Sequence, residues 1–91
     1  METINIKTFK DLTFKLHSSK TGIISRMMFE NGYGVSVVQT PTTYGGADGF
    51  YELAVIGKDG QITYESPITS DVEGYLNEIG ITKLMEQIQK L

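Results

Sequence analysis

Apolar and polar residues alternate along the first part of the chain with the period of two that marks a β-strand with one buried face. In "LTFKLH", Leu12, Phe14 and Leu16 alternate with polar residues. The preceding "INIKTF" alternates less regularly and fits either a short strand or an ordered N-terminal arm. We therefore predict that a sheet begins at about residue 12.

The next stretch, "GIISRMMFENGYGVSVVQT", predicts a β-hairpin whose loop length decides which residues face each other. A two-residue loop at Asn31 and Gly32 would set Phe29 against Gly34, which wastes a large side chain. A three-residue loop from 30 to 32, with Gly32 in the left-handed region, avoids this. It pairs Phe29 with Tyr33, Met27 with Val35 and Ser25 with Val37. We predict this register, in which the core-facing residues are Met27, Phe29, Val35 and Val37.

A second hairpin is predicted further along the chain. Pro41 ends the preceding strand, because proline cannot donate to a β-ladder, and "PTTYGGADG" then forms a loop. In "FYELAVIGKDGQITYES" the Asp59-Gly60 pair favours a two-residue turn. That turn sets two pairs: Val55 with Tyr64 and Ala54 with Glu65. The sheet then ends at about residue 66.

The last twenty residues predict two short helices. Ser70 can cap the first, from about 71 to 79, and Asp71 and Glu73 lie at the positive end of its dipole. Its apolar positions are Val72, Tyr75, Leu76 and Ile79. Gly80 ends or kinks this helix. The second helix, from about 81 to 91, carries an apolar stripe at helical spacing: Ile81, Leu84, Met85, Ile88 and Leu91.

Strands followed by helices predict an α+β fold in a single domain, residues 1–91. We expect an antiparallel meander of four or five strands, at about 12–66, with both C-terminal helices packed on one face. The predicted registers place Met28, Val38 and Ile56 on the other face, which stays partly open to water or to a partner. An exposed edge strand and a half-covered sheet also favour a homodimer.

Composition limits the classes of function. Eleven acidic and eight basic side chains give a formal net charge of -3, which disfavours binding to double-stranded nucleic acid. The chain has no cysteine, so disulfides, thiol nucleophiles and thiolate metal sites are excluded. No apolar run reaches the roughly 18 to 20 residues that span a bilayer, and the N-terminus lacks the pattern of a signal peptide. We therefore expect an intracellular protein without membrane contact.

Residues suited to catalysis or metal binding are few. His17 is the only histidine, so a zinc site would consist mostly of carboxylates and a serine triad would have one possible base. "NGYGVSVV" lacks the stacking aromatics that the RNA-recognition octamer needs. Asp48 and Glu52 are the carboxylate pair beside the glycine-rich segment, and chance explains their proximity in a chain with eleven acids. We expect no enzymatic activity, no metal and no cofactor.

The glycine-rich loop between 41 and 50 has two interpretations. In the first, its glycines supply turn conformations and Tyr44 folds back onto the sheet. In the second, exposed amides at Gly45 and Gly46, with Tyr44 as a stacking surface, contact a protein or a nucleotide-like ligand. The loop is long for a meander connection, which keeps the second interpretation open. The binding candidates are Tyr33, Tyr44, Gly45, Gly46, Asp48, Gly49 and Phe50.

Several segments between about residues 8 and 90 resemble short proteins of unknown function encoded by tailed bacteriophages. They are "TFKDLTFKLH", "MMFENGYGVSVV", "TYGGADGFYELAVI", "ITYESPIT" and "DVEGYL". The pieces "FENGYGVSVV" and "YGGADG" carry most of the specificity, and the N-terminal "ETINI" departs from the pattern. The resemblance implies the cytoplasm of a bacterial host during infection, and it carries over no catalytic residue.

The leading hypothesis is a non-enzymatic phage accessory protein that binds and modulates a host or defence factor. It would use the 41–50 loop and the uncovered sheet face to contact a host or phage protein. One alternative is a domain that sequesters a small nucleotide signal, with Tyr33, Tyr44 and glycine amides lining a pocket between subunits. Another alternative is a minor virion or assembly component.

Overall fold

The computed structural model describes residues 6–63 and 72–91. These parts of the chain form a five-stranded sheet and one α-helix. The strands are β1 (Lys15–Leu16), β2 (Ile23–Met28), β3 (Gly34–Gln39), β4 (Tyr51–Ile56) and β5 (Glu73–Leu76), and the helix is α1 (Glu78–Gln89). Two short 3₁₀ helices, Phe9–Asp11 and Gly46–Asp48, precede β1 and β4.

The five strands are antiparallel and lie side by side in chain order. The α+β class and the antiparallel sheet predicted from the sequence are therefore confirmed. Strand β1 is shorter than "LTFKLH", because the 3₁₀ helix before it runs directly into Leu12. Leu12 still belongs to the core, whereas Leu16 is 63% exposed. The sheet thus begins at residue 15 and extends to residue 76, beyond the predicted end at 66.

The β2–β3 hairpin has the predicted three-residue loop. Met27 lies opposite Val35. The Phe29 amide donates to the Tyr33 carbonyl over 2.7 Å and closes the loop. Gly32 has a φ of 91°, a left-handed conformation that glycine adopts at little cost. The predicted register is confirmed, because only this loop length pairs the large apolar residues of both strands.

The hydrophobic core lies between the sheet and α1. The core-facing side chains of β3 and β4 have no exposed surface: Val35, Val37, Leu53 and Val55. Ile81, Met85 and Ile88 of α1 cover them and are also fully buried. Burying one such side chain contributes about 1.5 to 3 kcal/mol. The stripe predicted for the last helix is therefore confirmed, except that Leu91 at its end is 37% exposed.

The hairpin after β4 departs from the prediction. Ile62 lies opposite Ile56, and the Gly57 amide donates to the Gln61 carbonyl over 2.8 Å. The loop therefore has three residues, 58–60, and the predicted two-residue turn is wrong. The Asp59 carboxylate accepts from the Gln61 amide over 3.0 Å, and Gly60 takes the left-handed position with a φ of 81°. These two features favour the longer, bulged loop. The predicted partners of Val55 and Ala54, Tyr64 and Glu65, lie outside the described residues.

The predicted helix from 71 to 79 is wrong in its described part. Glu73–Leu76 form β5, in which Leu76 lies opposite Tyr51 of β4. Tyr75 has a φ of 55°, which a right-handed helix does not contain. Pairing with the edge of β4 therefore outweighs the weak helical propensity of a segment that contains Val72 and Gly74. The predicted cap, Ser70, lies outside the described residues.

The only helix in the described part of the C-terminal region begins at Glu78. Asn77 is its N-cap, and the Asn77 side chain accepts from the Gly80 amide over 2.8 Å. Gly80 therefore lies inside the first turn and does not end a helix. Two predicted helices are thus replaced by one strand and one helix, because the asparagine cap fixes the start of α1 after β5.

The sheet face opposite α1 is only partly open. Met28 is 52% exposed and Val38 is half-buried, whereas Ile56 is 1% exposed. Ile56 is therefore unavailable to a partner, contrary to the prediction for this face. At the N-terminus, residues 6–8 form an ordered arm: the Gln89 side chain donates to the Lys7 carbonyl and accepts from the Lys7 amide, each over 2.8 Å.

Candidate functional site

The 41–50 loop is held by hydrogen bonds to itself and to β3. The Thr43 hydroxyl accepts from the Thr40 amide and donates to the Thr40 carbonyl, each over 3.0 Å. The Gly46 amide donates to the Thr43 carbonyl over 2.9 Å. Further along, the Gly49 carbonyl accepts from the Gln39 side chain over 2.8 Å. The loop therefore has a defined conformation on the end of the sheet.

Close packing explains the first two glycines of this loop. Gly45 is buried and has a φ of 79°. A Cβ atom on Gly46 would overlap the Thr40 carbonyl oxygen. Since Gly45 is buried and the Gly46 amide already donates to Thr43, the predicted pair of exposed amides is not present. These glycines serve the turn, as the first interpretation of the loop predicts, but Tyr44 is 62% exposed and does not fold back onto the sheet as that interpretation also predicts.

Three aromatic side chains lie exposed where the loop meets β5. Tyr44 is 62% exposed, Tyr75 is 65% exposed and Phe50 is 37% exposed. The ring centroids of Phe50 and Tyr75 are 6.2 Å apart, and the Tyr75 amide donates to the Tyr44 carbonyl over 3.2 Å. We call Tyr44, Phe50 and Tyr75 the aromatic patch. Aromatic residues are enriched in protein interfaces, so the patch is a candidate contact surface.

Glycines let the loop and β5 approach each other closely beneath this patch. A Cβ atom on Gly74 would overlap the Cβ of Tyr44. One on Gly45 would lie 2.8 Å from Cδ1 of Tyr75 and 2.9 Å from Cβ of Phe50. The backbones of the two segments are therefore in contact, and they hold the aromatic patch in place.

A shallow groove lies between the loop and the start of α1. Its lining residues are Gly49, Tyr51, Asn77, Glu78 and Ile79. Ile79 is 66% exposed and adds an aliphatic surface to the region of the aromatic patch. Burial raises the pKa of Tyr51, and the negative charge of Glu78 raises it further. The Glu78 carboxylate therefore contributes negative charge to this groove.

The structure brings together some of the predicted binding residues and separates one. Tyr44, Phe50 and the 45–49 segment share the loop, and Asp48 is exposed there. Tyr33 lies before β3, whereas the loop follows it, so the six residues of β3, roughly 20 Å, separate Tyr33 from Tyr44. Tyr33 instead faces Lys58, whose Nζ lies 5.3 Å from the ring centroid. Within one chain, Tyr33 is not part of the aromatic patch.

Tyr75 is the functional candidate that the sequence analysis missed. Its spacing from Leu76 and Ile79 fits the apolar stripe of the helix predicted from 71 to 79. The signal that could have shown otherwise is Asn77, a strong N-cap residue directly before an uninterrupted helical pattern. A helix that begins after Asn77 leaves Tyr75 outside it.

The described residues lack metal-binding clusters and membrane-spanning helices. Within 6–63 and 72–91, no three His, Asp or Glu side chains are grouped so that they could hold a metal ion. In those same ranges, no helix has the length and apolar character needed to cross a bilayer. His17 takes part in the β1–β2 turn, where its Nδ1 lies 2.8 Å from the Ser19 hydroxyl.

No protein-family model, curated protein or solved structure matches the chain. A functional proposal therefore depends on the chemistry of the surface itself.

Proposed function

We propose that this protein is a non-enzymatic accessory protein of the phage type, which binds a protein of the bacterial host or of its defence systems and modulates it. The observation that carries the proposal is the aromatic patch. Its outer two rings, Tyr44 and Tyr75, each leave more than half of their surface exposed. Exposed aromatic side chains on an ordered backbone are the typical anchors of protein interfaces.

The aromatic patch is suited to binding because little order has to be gained when a partner docks. A tyrosine side chain has only two main torsions, so fixing it at an interface costs little entropy. The backbone at Tyr44 is already tied to Glu52 by a 2.8 Å hydrogen bond and to Tyr75 by one of 3.2 Å. An interface built on such anchors concentrates its energy in a few residues, each contributing about 2 kcal/mol or more.

Two polar side chains near Tyr44 bond to the loop backbone, which favours a contact surface over a catalytic one. The Glu52 carboxylate accepts from the Tyr44 amide, and the Thr43 hydroxyl bonds to the Thr40 backbone. The large apolar side chains that the loop exposes are Tyr44 and Phe50. This supports a binding role for the loop.

Sequestration of a small nucleotide is a second candidate, favoured by the exposed rings of Tyr44 and Tyr75. Aromatic side chains can stack on a base. A thermal-shift panel of mono-, di- and cyclic nucleotides tests this candidate, since any ligand that binds only the native state raises the melting temperature. A constant melting temperature at saturating nucleotide would eliminate it.

Affinity capture from bacterial lysate tests the leading proposal. We would compare the wild-type protein with the double variant Tyr44→Ala, Tyr75→Ala. The matched control is Leu16→Ala, Met28→Ala, which removes two other exposed apolar side chains, 63% and 52% exposed, away from the aromatic patch. Melting temperatures would establish that all three proteins are folded.

The wild-type protein and the control should recover the same bacterial protein, and the aromatic-patch variant should lose most of it. Equal recovery by all three proteins would show that the aromatic patch is not the binding surface.

A further inference from the structure

We infer that the aromatic patch binds a basic protein segment, in which arginine side chains alternate with apolar ones. This inference rests on the proposed function, and it specifies the chemistry of the partner. It is carried by the distribution of charge around the aromatic patch.

The segments that build the aromatic patch and the adjoining groove carry charge of only one sign. Residues 39–57 and 72–82 include no lysine, arginine or histidine. The same two segments contain four carboxylates: Asp48, Glu52, Glu73 and Glu78. The whole chain has eight basic residues for eleven acidic ones, so this one-sided distribution is stronger than the net charge of -3 alone would produce.

One of these carboxylates contacts the aromatic patch, and a second lines the adjoining groove. Glu52 Oε2 accepts from the Tyr44 amide over 2.8 Å, which places a negative charge beside the backbone of the largest exposed ring of the loop. Glu78 lines the groove together with Gly49 and Ile79. The aromatic and aliphatic surface therefore has an acidic border.

The basic side chains of this chain lie outside the two segments that build the aromatic patch and the adjoining groove. Lys10 and Lys83 line a second groove, between the N-terminal 3₁₀ helix and α1, which shares Glu78 and Ile79 with the first. Lys58 stacks on Tyr33 near the opposite end of β3. Within the described residues, no lysine, arginine or histidine lines the groove of Gly49, Tyr51 and Glu78.

Arginine matches this surface in two ways. Its planar guanidinium stacks on aromatic faces, and the attraction is about 0.5 to 1 kcal/mol at an exposed site. The same group can donate two parallel hydrogen bonds to a carboxylate. A phosphate-bearing ligand would instead meet like charges at Glu52 and Glu78, and the loop amide that could bind it, at Gly46, already donates to Thr43. The surface therefore selects a basic peptide over a nucleotide.

An NMR titration of the ¹⁵N-labelled protein tests this inference. The probes are three capped peptides of equal length, in which leucine alternates with arginine, glutamine or glutamate. The arginine peptide should shift the amide resonances of 44–50 and 74–79, and it should bind at least about fivefold more tightly than the glutamine peptide, as expected for two partly exposed ion pairs. The glutamate peptide should cause no shift in those residues.

Two variants distinguish between two explanations for binding of the arginine peptide: attraction by Glu52 and Glu78, or attraction by the net negative charge of the protein. Glu52→Gln, Glu78→Gln removes the two located carboxylates, and the glutamine at 52 keeps an oxygen that can accept from the Tyr44 amide. The control Glu30→Gln, Asp59→Asn removes two charges from loops at the other end of the sheet. The first variant should bind the arginine peptide about fivefold more weakly, and the control should bind it like the wild type.

Three results would overturn the inference. Equal binding of the arginine and glutamine peptides at the aromatic patch would do so while leaving the proposed function intact. If both charge variants bound the arginine peptide equally more weakly than the wild type, the attraction would come from the net charge of the protein and not from Glu52 and Glu78. Absence of shifts with every peptide would also reject a basic partner, whereas the proposed function would then be judged separately by the lysate capture with Tyr44→Ala, Tyr75→Ala.

Discussion

The side-chain amide of Asn31, in the β2–β3 loop, donates a 2.8 Å hydrogen bond to the carbonyl oxygen of Ile88 in the last turn of α1. The Ile88 carbonyl also accepts from the Leu91 amide over 3.2 Å, so Asn31 adds a second donor to this helix end from a distant hairpin. The Asn31 side-chain oxygen also accepts from the Tyr33 amide over 3.1 Å. One side chain therefore stabilises the loop and joins it to the helix.

Replacing Asn31 should destabilise the fold through both contacts. We expect Asn31→Ala to lower the free energy of unfolding by about 1 to 2 kcal/mol, measured by urea denaturation. Asn31→Asp keeps the acceptor for Tyr33 but brings a negative charge to the carbonyl end of α1. It should therefore be at least as unstable at neutral pH. Stability equal to the wild type in both variants would show that the junction contributes nothing.

Gly80 should tolerate alanine, because it lies in the first turn of α1. An alanine Cβ would lie 3.2 Å from Cδ2 of Leu76, the end of a flexible side chain, and 3.4 Å from Oδ1 of Asn77. Helical propensity then favours Gly80→Ala by about 0.5 to 1 kcal/mol in the free energy of unfolding. The control Gly32→Ala should lose about 1 kcal/mol, because Gly32 has a φ of 91°. A loss of stability in Gly80→Ala would instead support a helix end at this position.

The difference at Gly80 shows where sequence patterns reach their limit. The alternation in β2 and β3 determined the register, because only one loop length paired Met27 with Val35. Between residues 72 and 79, the spacing of the apolar residues is compatible with either a helix or a paired strand. The choice depended on the edge of β4, a partner some twenty residues away that a local pattern cannot reveal. The Asn77 cap was the local signal that could have located the start of α1.

The candidate site was predictable to a similar extent. The length of the 41–50 loop keeps a contact surface as one of its two interpretations, and Tyr44 and Phe50 are exposed there. Tyr75 could not be added, because it lies in β5 and its neighbours Tyr44 and Phe50 come from a loop some thirty residues earlier in the chain. The glycine amides were misjudged, since the sequence does not show that Gly46 already donates to Thr43.

Gly74 should be essential for the contact between β5 and the loop. An alanine Cβ would overlap the Cβ of Tyr44 and lie 3.2 Å from its carbonyl oxygen. Because both atoms belong to a constrained loop, we expect Gly74→Ala to cost about 2 kcal/mol and to shift the amide resonances of Tyr44 and Tyr75. Gly49→Ala is the control: its Cβ would meet nothing within 4 Å, so only the φ of 86° opposes it. Unchanged resonances in Gly74→Ala would contradict this packing.

Because of Tyr51, the free energy of unfolding should vary with pH in the alkaline range. Burial, and then the Glu78 charge, raise the pKa of Tyr51 in the native state above its ordinary value of about 10. Below that ordinary value the tyrosine is neutral in both states and its contribution to stability is complete. As the pH rises further, the unfolded chain loses the proton first, so the free energy of unfolding falls until the native pKa is passed.

The variant Tyr51→Phe isolates this contribution, because the other titrating groups remain in place. We would measure urea denaturation at about pH 8 and about pH 10.5, on either side of the ordinary tyrosine pKa. The wild type should lose more stability between the two pH values than Tyr51→Phe, and Glu78→Gln should lie between them, since only the smaller cause of the shift is removed. An equal loss in the wild type and Tyr51→Phe would mean that Tyr51 titrates alike in the native and unfolded states.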